Sequence, residues 1–170
     1  MKYGIVIFPP RKIQDLANSY RKRYDPHYAL IPPHITLKPS FSLGERNLDD
    51  ITKHLEEVAA STPAFQLQFH KVSTFHPTTN VIYFAIKDKQ AVTELHERCN
   101  EGILHDELQF SYVPHLTISQ DLSDAELLDV YGSLRMTKLN ESAFIDRFHL
   151  LYQMENDMWT VYQTFLLKQS

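Results

Sequence analysis

The stretch Pro33-His34-Ile35-Thr36-Leu37 is matched by a second, Pro114-His115-Leu116-Thr117-Ile118, 81 positions further along the 170-residue chain. In an extended strand successive side chains point to opposite faces. His34 and Thr36 therefore share one face while Ile35 and Leu37 share the other, and His115 and Thr117 are set against Leu116 and Ile118 in the same way. The apolar face anchors each strand in a core. The polar face carries an imidazole and a hydroxyl about 6–7 Å apart, a platform suited to chemistry on an oxyanion. Strand packing accounts for the four apolar residues and gives no reason for the histidines and threonines.

Around these pentapeptides the order of elements repeats. Ile5 to Phe8 reads as a short buried strand closed by Pro9-Pro10. Ile13, Leu16, Ala17 and Tyr20 follow at helical spacing, with Arg11, Lys12, Arg21, Lys22 and Arg23 at the ends and outer face. Asp25-Pro26-His27 ends this helix, and a loop leads to the first His-x-Thr strand. Ser42 and Glu45 have capping-box spacing before a helical stripe of Leu48, Ile51, Leu55 and Val58. Phe65, Leu67 and Phe69 then alternate with polar residues as a half-buried strand does.

From Val81 the sequence begins again: an apolar strand to Ile86, a helix around Val92 and Leu95, a loop at Gly102 and the second His-x-Thr strand. Ser123 and Glu126 form another capping box ahead of Leu127, Leu128, Tyr131 and Leu134. Phe144 to Tyr152 reads as one long strand, turned at Asn156-Asp157 into a closing strand from Met158 to Leu167. A smaller echo, Ala64-Phe65 and Phe69-His70 against Ala143-Phe144 and Phe148-His149, follows a nearly equal offset. The expected fold is α+β, with duplicated β-α-β-α-β units that fold against each other around a central cleft. Residues 1–170 are expected to form a single bilobal domain.

Composition narrows the chemistry. With 43% hydrophobic and 22% charged residues the chain has the makeup of an ordinary globular protein. Its formal charge of −4 argues against general attraction to a long polyanion, so a nucleic-acid substrate would be small or an end. Cys99, the only cysteine, excludes an intrachain disulfide and falls on the Val92-Leu95 stripe as a small core residue. The opening apolar run is too short for a signal segment and no stretch is long enough for a membrane span, which leads us to expect a cytoplasmic protein without membrane partners. Oligomeric state is not legible. No His-x-x-x-His pair, cysteine pair or carboxylate in the pentapeptides suggests a metal, and Gly4, Gly44, Gly102 and Gly132 form no phosphate-cradling loop. No metal or cofactor is expected.

Two histidines on opposite sides of a phosphate can take a proton from the nucleophile and give one to the leaving oxygen, and threonine hydroxyls can donate to the non-bridging oxygens. On this reading His34 and His115 are the acid-base pair and Thr36 and Thr117 the substrate-binding groups. Lys38 and Ser119, four residues beyond each histidine, fall on the same face by parity and are further candidate phosphate contacts. Tyr3, Tyr83 and Tyr112 are candidates to stack a base. His27, His76 and His105 lie in loops that could border the opening, while His70 and His149 are accounted for by strand position and His54 and His96 by solvated helix faces. The alternative is a module that binds a nucleotide or RNA end without turnover.

The paired His-hydrophobic-Thr-hydrophobic strands, in a chain of this length, resemble the 2H phosphoesterase superfamily, with its 2′,5′ RNA ligase-like proteins and cyclic phosphodiesterases. Within it the nearest likeness is to the small bacterial phosphoesterases of the YjcG type. The resemblance implies a hydrolase acting through the same division of labour on a 2′,3′-cyclic phosphate or a 2′,5′-linked nucleotide, and it implies that the duplicated units form two lobes related by a pseudo-twofold, with antiparallel-rich sheets around the cleft.

Overall fold

The computed structural model describes residues 1–107 and 111–169. Strand β1 spans Tyr3–Ile7, helix α1 Arg11–Tyr24, β2 Ile35–Phe41, α2 Leu48–Ser61 and β3 Phe65–Thr74. The second run comprises β4 Ile82–Ile86, α3 Gln90–Cys99, β5 His115–Ser119, α4 Asp124–Leu134, β6 Glu141–Ile145, β7 Arg147–Gln153 and β8 Trp159–Leu166. The α+β repeat is thus present, with a short 3-10 turn at Gly102–Leu104 in the loop before β5.

The strands join in one sheet with the order β6-β3-β4-β5-β2-β1-β7-β8, every neighbouring pair antiparallel. Read outward from the centre, β5-β4-β3-β6 mirrors β2-β1-β7-β8. Each half draws strands from both sequence repeats, because β3 pairs with β4 and β7 with β1. This exchange ties the two repeats together.

The expected strand from Phe144 to Tyr152 is broken at Asp146, with β6 on β3 and β7 on β1 and β8. One residue thus links positions at opposite ends of the strand order, so the sheet must curl until its ends approach. Leu167 N–H donates to the Asp146 carbonyl at 2.8 Å and Ala64 N–H to that of Lys168 at 3.0 Å, fixing the approach. The Phe65/Phe144 echo is therefore not a structural equivalence. Phe65 and Phe144 lie on paired strands, β3 and β6, and the equivalent of His149, opposite Val6 on β1, is Ser73, opposite Tyr83 on β4.

One contiguous core lies between the sheet and the helices. Ile5, Ile7, Ile35, Leu37, Phe84, Leu116 and Ile118 supply its sheet side, and Ile13, Ala17, Ile51, Leu55, Val92 and Leu95 its helical side. Helix α1 packs on β5 and α3 on β2. The Ser123–Glu126 capping box forms as the spacing predicts. The Ser42–Glu45 pair does not cap α2. Asn47, an equally good cap that lies immediately before the helix, accepts from Asp49 N–H instead. Cys99 is fully buried at the end of α3, and burial pushes its thiol up to about 12, so it packs as a core residue.

Candidate active site

The two pentapeptides meet at the centre of the sheet, where Ile35 of β2 pairs with Leu116 of β5. Extending that antiparallel register by one residue each way sets His34 opposite Thr117 and Thr36 opposite His115, all on the face away from the core. The two histidines are then diagonal neighbours, about 7–8 Å apart along the backbone.

Each imidazole is fixed by the same local device. His34 Nδ1 lies 2.9 Å from the Pro32 carbonyl and His115 Nδ1 lies 2.7 Å from the Val113 carbonyl. A carbonyl can only accept, so both Nδ1 atoms carry the proton and both Nε2 atoms keep a lone pair free. In each case the acceptor belongs to the residue two before the histidine, with Pro33 or Pro114 between. Proline biases the residue before it toward extended geometry, which turns that carbonyl back to the ring.

Burial shifts both imidazoles. His34 is lowered to about 4, chiefly by desolvation, with Arg21 and His115 adding to the depression and Pro32 and Asp25 opposing it. Desolvation lowers His115 as well, opposed by its bond to Val113. His115 also stands edge-on to Phe75 and Tyr83, at centroid distances of 4.9 and 5.2 Å. At neutral pH both rings are therefore uncharged in the empty site, poised to accept a proton once an anion arrives.

The cavity beside His34 has a volume of about 230 Å³ and is lined by Thr36, Thr117, Gln120, His27 and Trp159 among others. Trp159, the chain's only tryptophan, lies over Gly4 as part of its wall. Its place was not legible in the sequence, since it depends on β8 reaching β7 and on the Trp159 backbone N–H donating to the Leu30 carbonyl. Below the cavity the Arg21–Asp25 pair is buried, 2% and 1% exposed in side chain, rather than on the outer helix face expected for Arg21.

Lys38 is among the residues that line the cavity, but its ammonium and the Ser119 hydroxyl do not join the threonine hydroxyls. Opposite Val6 and Ile5 on β1, strand β2 carries one extra residue, since Val6 pairs with Thr36 but Ile5 with Lys38. The same happens on β5, where Tyr83 pairs with Thr117 but Ile82 with Ser119. A β-bulge places two successive residues on one side, so Leu37 and Lys38, and likewise Ile118 and Ser119, all turn inward and are buried. Lys38 Nζ donates to Asn100 Oδ1 at 3.0 Å, the Leu104 carbonyl at 3.2 Å and Asp106 Oδ2 at 2.6 Å. The hydroxyl of Ser119 donates to the Tyr24 carbonyl at 2.9 Å. Parity fails at both positions for one reason, and the two bulges are themselves equivalent.

The tyrosines serve as supports. Tyr3 is buried near Phe41, Tyr83 stacks on Phe75 with centroids 4.3 Å apart, and Tyr112 donates its hydroxyl to the Thr36 carbonyl at 2.7 Å. His96, expected on a solvated face, is 4% exposed, bonded to the Leu37 carbonyl at 2.7 Å and stacked on Tyr112. His27 reaches the cavity and pairs with Asp121 at 3.2 Å, while His76 bonds Asn80 away from it. Among the described residues no cluster of three histidine, cysteine or acidic side chains is arranged to hold a metal, and no helix is long and apolar enough to cross a membrane.

Paired histidines on twin strands at the heart of a duplicated antiparallel sheet are the plan of the 2H phosphoesterases, and a family profile for the 2′-5′ RNA ligase superfamily matches residues 9–157. The chain belongs to that superfamily. Over 98% of its length it is 53% identical to a protein of Geobacillus sp. (strain WCH70) and 53% identical to one of Bacillus cytotoxicus, covering 96% and 97% of those chains; both bear the name "Putative phosphoesterase". In fold it is similar to Escherichia coli LigT crystallised with 3′-AMP, with a TM-score of 0.72, 16% identity and 99% and 98% of the two chains covered. A protein of Thermus thermophilus gives a TM-score of 0.71 at 16% identity, with both chains fully covered. The protein is thus a phosphoesterase of the 2H type.

Proposed function

We propose that residues 1–170 act as one bilobal unit that hydrolyses a cyclic phosphate or phosphodiester without a metal, the substrate being a 2′,3′-cyclic or 2′,5′-linked nucleotide or RNA end. His34 and His115 are the acid-base pair, and Thr36 and Thr117 bind the phosphate. The observation that carries this reading is the locking of both Nδ1–H groups onto backbone carbonyls, which leaves two free Nε2 atoms on one face with a hydroxyl across from each.

With a 2′,3′-cyclic phosphate the reaction balances as follows. One Nε2 takes a proton from water as its oxygen bonds to phosphorus. The bond from phosphorus to one ribose oxygen breaks, and the other histidine, protonated at Nε2, gives that oxygen its proton. The product is a nucleoside monophosphate, and the protons left on the pair are equal in number to those at the start. The threonine hydroxyls donate to the non-bridging oxygens as charge grows there. A bound anion favours the imidazolium form, which supplies the acid from a site that is neutral when empty. The LigT structures named for 3′-AMP and for phosphate lend support, since such ligands fit a site built for one phosphate and one nucleoside.

The test is hydrolysis of uridine 2′,3′-cyclic phosphate in EDTA by wild type, His34→Ala and His115→Ala. Turnover by wild type that collapses in both variants supports the reading. Full activity in either variant removes that histidine from the chemistry, and binding without turnover in all three leaves a nucleotide-binding module.

A further inference from the structure

The outer face of the sheet continues beyond His115. Following the register across the sheet, Thr36 stands beside His115, His115 beside Ala85 and Ala85 beside Lys71. In the parallel row, Thr117 is followed by Tyr83 and then Ser73. Alanine at position 85 leaves the floor of this continuation low. Two strand spacings separate Lys71 from His115, roughly 10 Å between backbones.

On the far side of Ala85 lies a second hollow, of about 280 Å³, lined by His70, Lys71, Ser73, Lys87, Lys89 and Pro114 among others. A third β-bulge builds it. Phe69 pairs with Ile86 but Lys71 with Ala85, so β3 holds an extra residue and both His70 and Lys71 turn to the outer face. Lys71, Lys87 and Lys89 are exposed and none makes a salt bridge among the described residues. Their charges converge, since burial and then Lys71, Lys87 and Lys89 in turn depress the His70 imidazole. The one carboxylate among them in sequence, Asp88, is turned to the start of α3, where it accepts from Gln90 N–H. The described lining residues include no acidic side chain.

Three ammonium groups gathered in an otherwise acidic protein, opening onto the same sheet face as the histidines, are matched in chemistry by an anion next to the reacting one. We infer that the hollow formed by Lys71, Lys87, Lys89 and Ser73 binds the neighbouring internucleotide phosphate of the substrate, so that the protein acts on the end of an oligonucleotide in preference to a mononucleotide. This rests on the placement of the reacting phosphate between His34 and His115. Ser73 supplies a hydroxyl and the lysines mobile donors, a combination that neutralises a phosphate without reading a base.

Binding of two probes that lack a 2′-hydroxyl tests this apart from turnover: deoxyadenosine 3′-monophosphate, and the dinucleotide d(ApAp), which adds one internucleotide phosphate. Wild type is expected to bind the dinucleotide about tenfold more tightly. Lys71→Ala/Lys87→Ala, both exposed positions, is expected to lose that advantage, leave mononucleotide binding unchanged and lower the salt slope of dinucleotide binding by about 0.7 in all, for the one phosphate no longer neutralised. Equal affinity of wild type for the two probes, or a dinucleotide preference that survives the double substitution, would overturn the inference. Failure of the catalytic reading has a different signature, in which uridine 2′,3′-cyclic phosphate is not turned over while the lysine-dependent preference persists.

Discussion

His34 stands across the β2–β5 pair from Thr117, the threonine of the other motif. Each half of the proposed phosphate site therefore needs both repeats, since neither His-x-Thr strand presents an imidazole and a facing hydroxyl by itself. Among the described residues the pairing of Ile35 with Leu116 holds the two halves in register.

The first expectation concerns the pair itself. Replacing His34 or His115 by alanine should lower kcat on a cyclic phosphate by about 10²–10⁴. Combining the two should cost much less than the product of the separate losses, because both act in one proton-transfer sequence. Circular dichroism melts of the same proteins separate this from unfolding. Losses that multiply would show that the histidines act independently.

The pH dependence follows from the depressed imidazoles. In the free enzyme one histidine must be neutral and the other protonated, and both pKa values lie below the ordinary 6.5, His34 at about 4. The profile of kcat/KM, which reports the free enzyme, should rise through about pH 4 and decline before 6.5, whichever ring is the acid. The profile of kcat, measured on the complex with an anion present, should lie at higher pH. A kcat/KM still rising above pH 7 would contradict the depression of both imidazoles. Stability carries the same sign: between about pH 4 and 6.5 the unfolded chain binds more protons at position 34, so stability should fall as pH falls through that window.

The threonines are expected to affect phosphate binding more than fold. Thr36→Val and Thr117→Val keep shape and β-branching while removing a donor to a charged oxygen, a loss of about 1.5–3 kcal/mol. Each should weaken inorganic phosphate binding or turnover by about tenfold or more, with thermal stability little changed because both side chains are only half-buried. Unaltered phosphate affinity in both variants would move the anion elsewhere on the sheet.

How much of this was legible in the sequence depends on where a strand stays regular. Alternation correctly set His34, Thr36, His115 and Thr117 on one face because Ile35 and Leu37, Leu116 and Ile118 must enter the core. It failed one step later, at Lys38 and Ser119, because a bulge is a property of the pairing with β1 and β4 and leaves no mark in the bulged strand alone. Alternation also places His70 correctly, opposite the buried Phe69, but it gives no hint that a bulge brings Lys71 to the same face. The break at Asp146 was equally hidden, since both sides of it are good strand sequence and only the choice of partners divides them. Trp159 and the buried Arg21–Asp25 pair depend on contacts between distant segments, which periodicity does not report.

Arg21 and Asp25 offer a structural test. Both side chains are almost wholly removed from water, with Nε and Oδ2 3.5 Å apart, and Arg21 also bonds Asn18 Oδ1 and the Ile31 carbonyl. Asp25 accepts from His27 N–H and from Gln120 Nε2, so it joins α1 to the loop before His34 and to the end of β5. Asp25→Ala should destabilise by about 3–5 kcal/mol, because it leaves a buried guanidinium without its partner. Denaturant unfolding measures this, and a loss below about 1 kcal/mol would mean that water reaches Arg21.

Lys38 separates the bulged geometry from the simple alternation that would have placed it beside the phosphate. Its ammonium is held by Asn100, the Leu104 carbonyl and Asp106, and its hydrogen bond keeps the Asp106 carboxyl below the usual range. Lys38→Met preserves the aliphatic stem and strands the buried Asn100 oxygen and Leu104 carbonyl, at a cost of about 1–3 kcal/mol for each group left unsatisfied. The expected result is a lower melting temperature with KM for a cyclic phosphate unchanged at temperatures where the variant is folded. A KM raised tenfold or more with the melting temperature unchanged would instead put the ammonium in the cleft and remove the bulge from the account of β2.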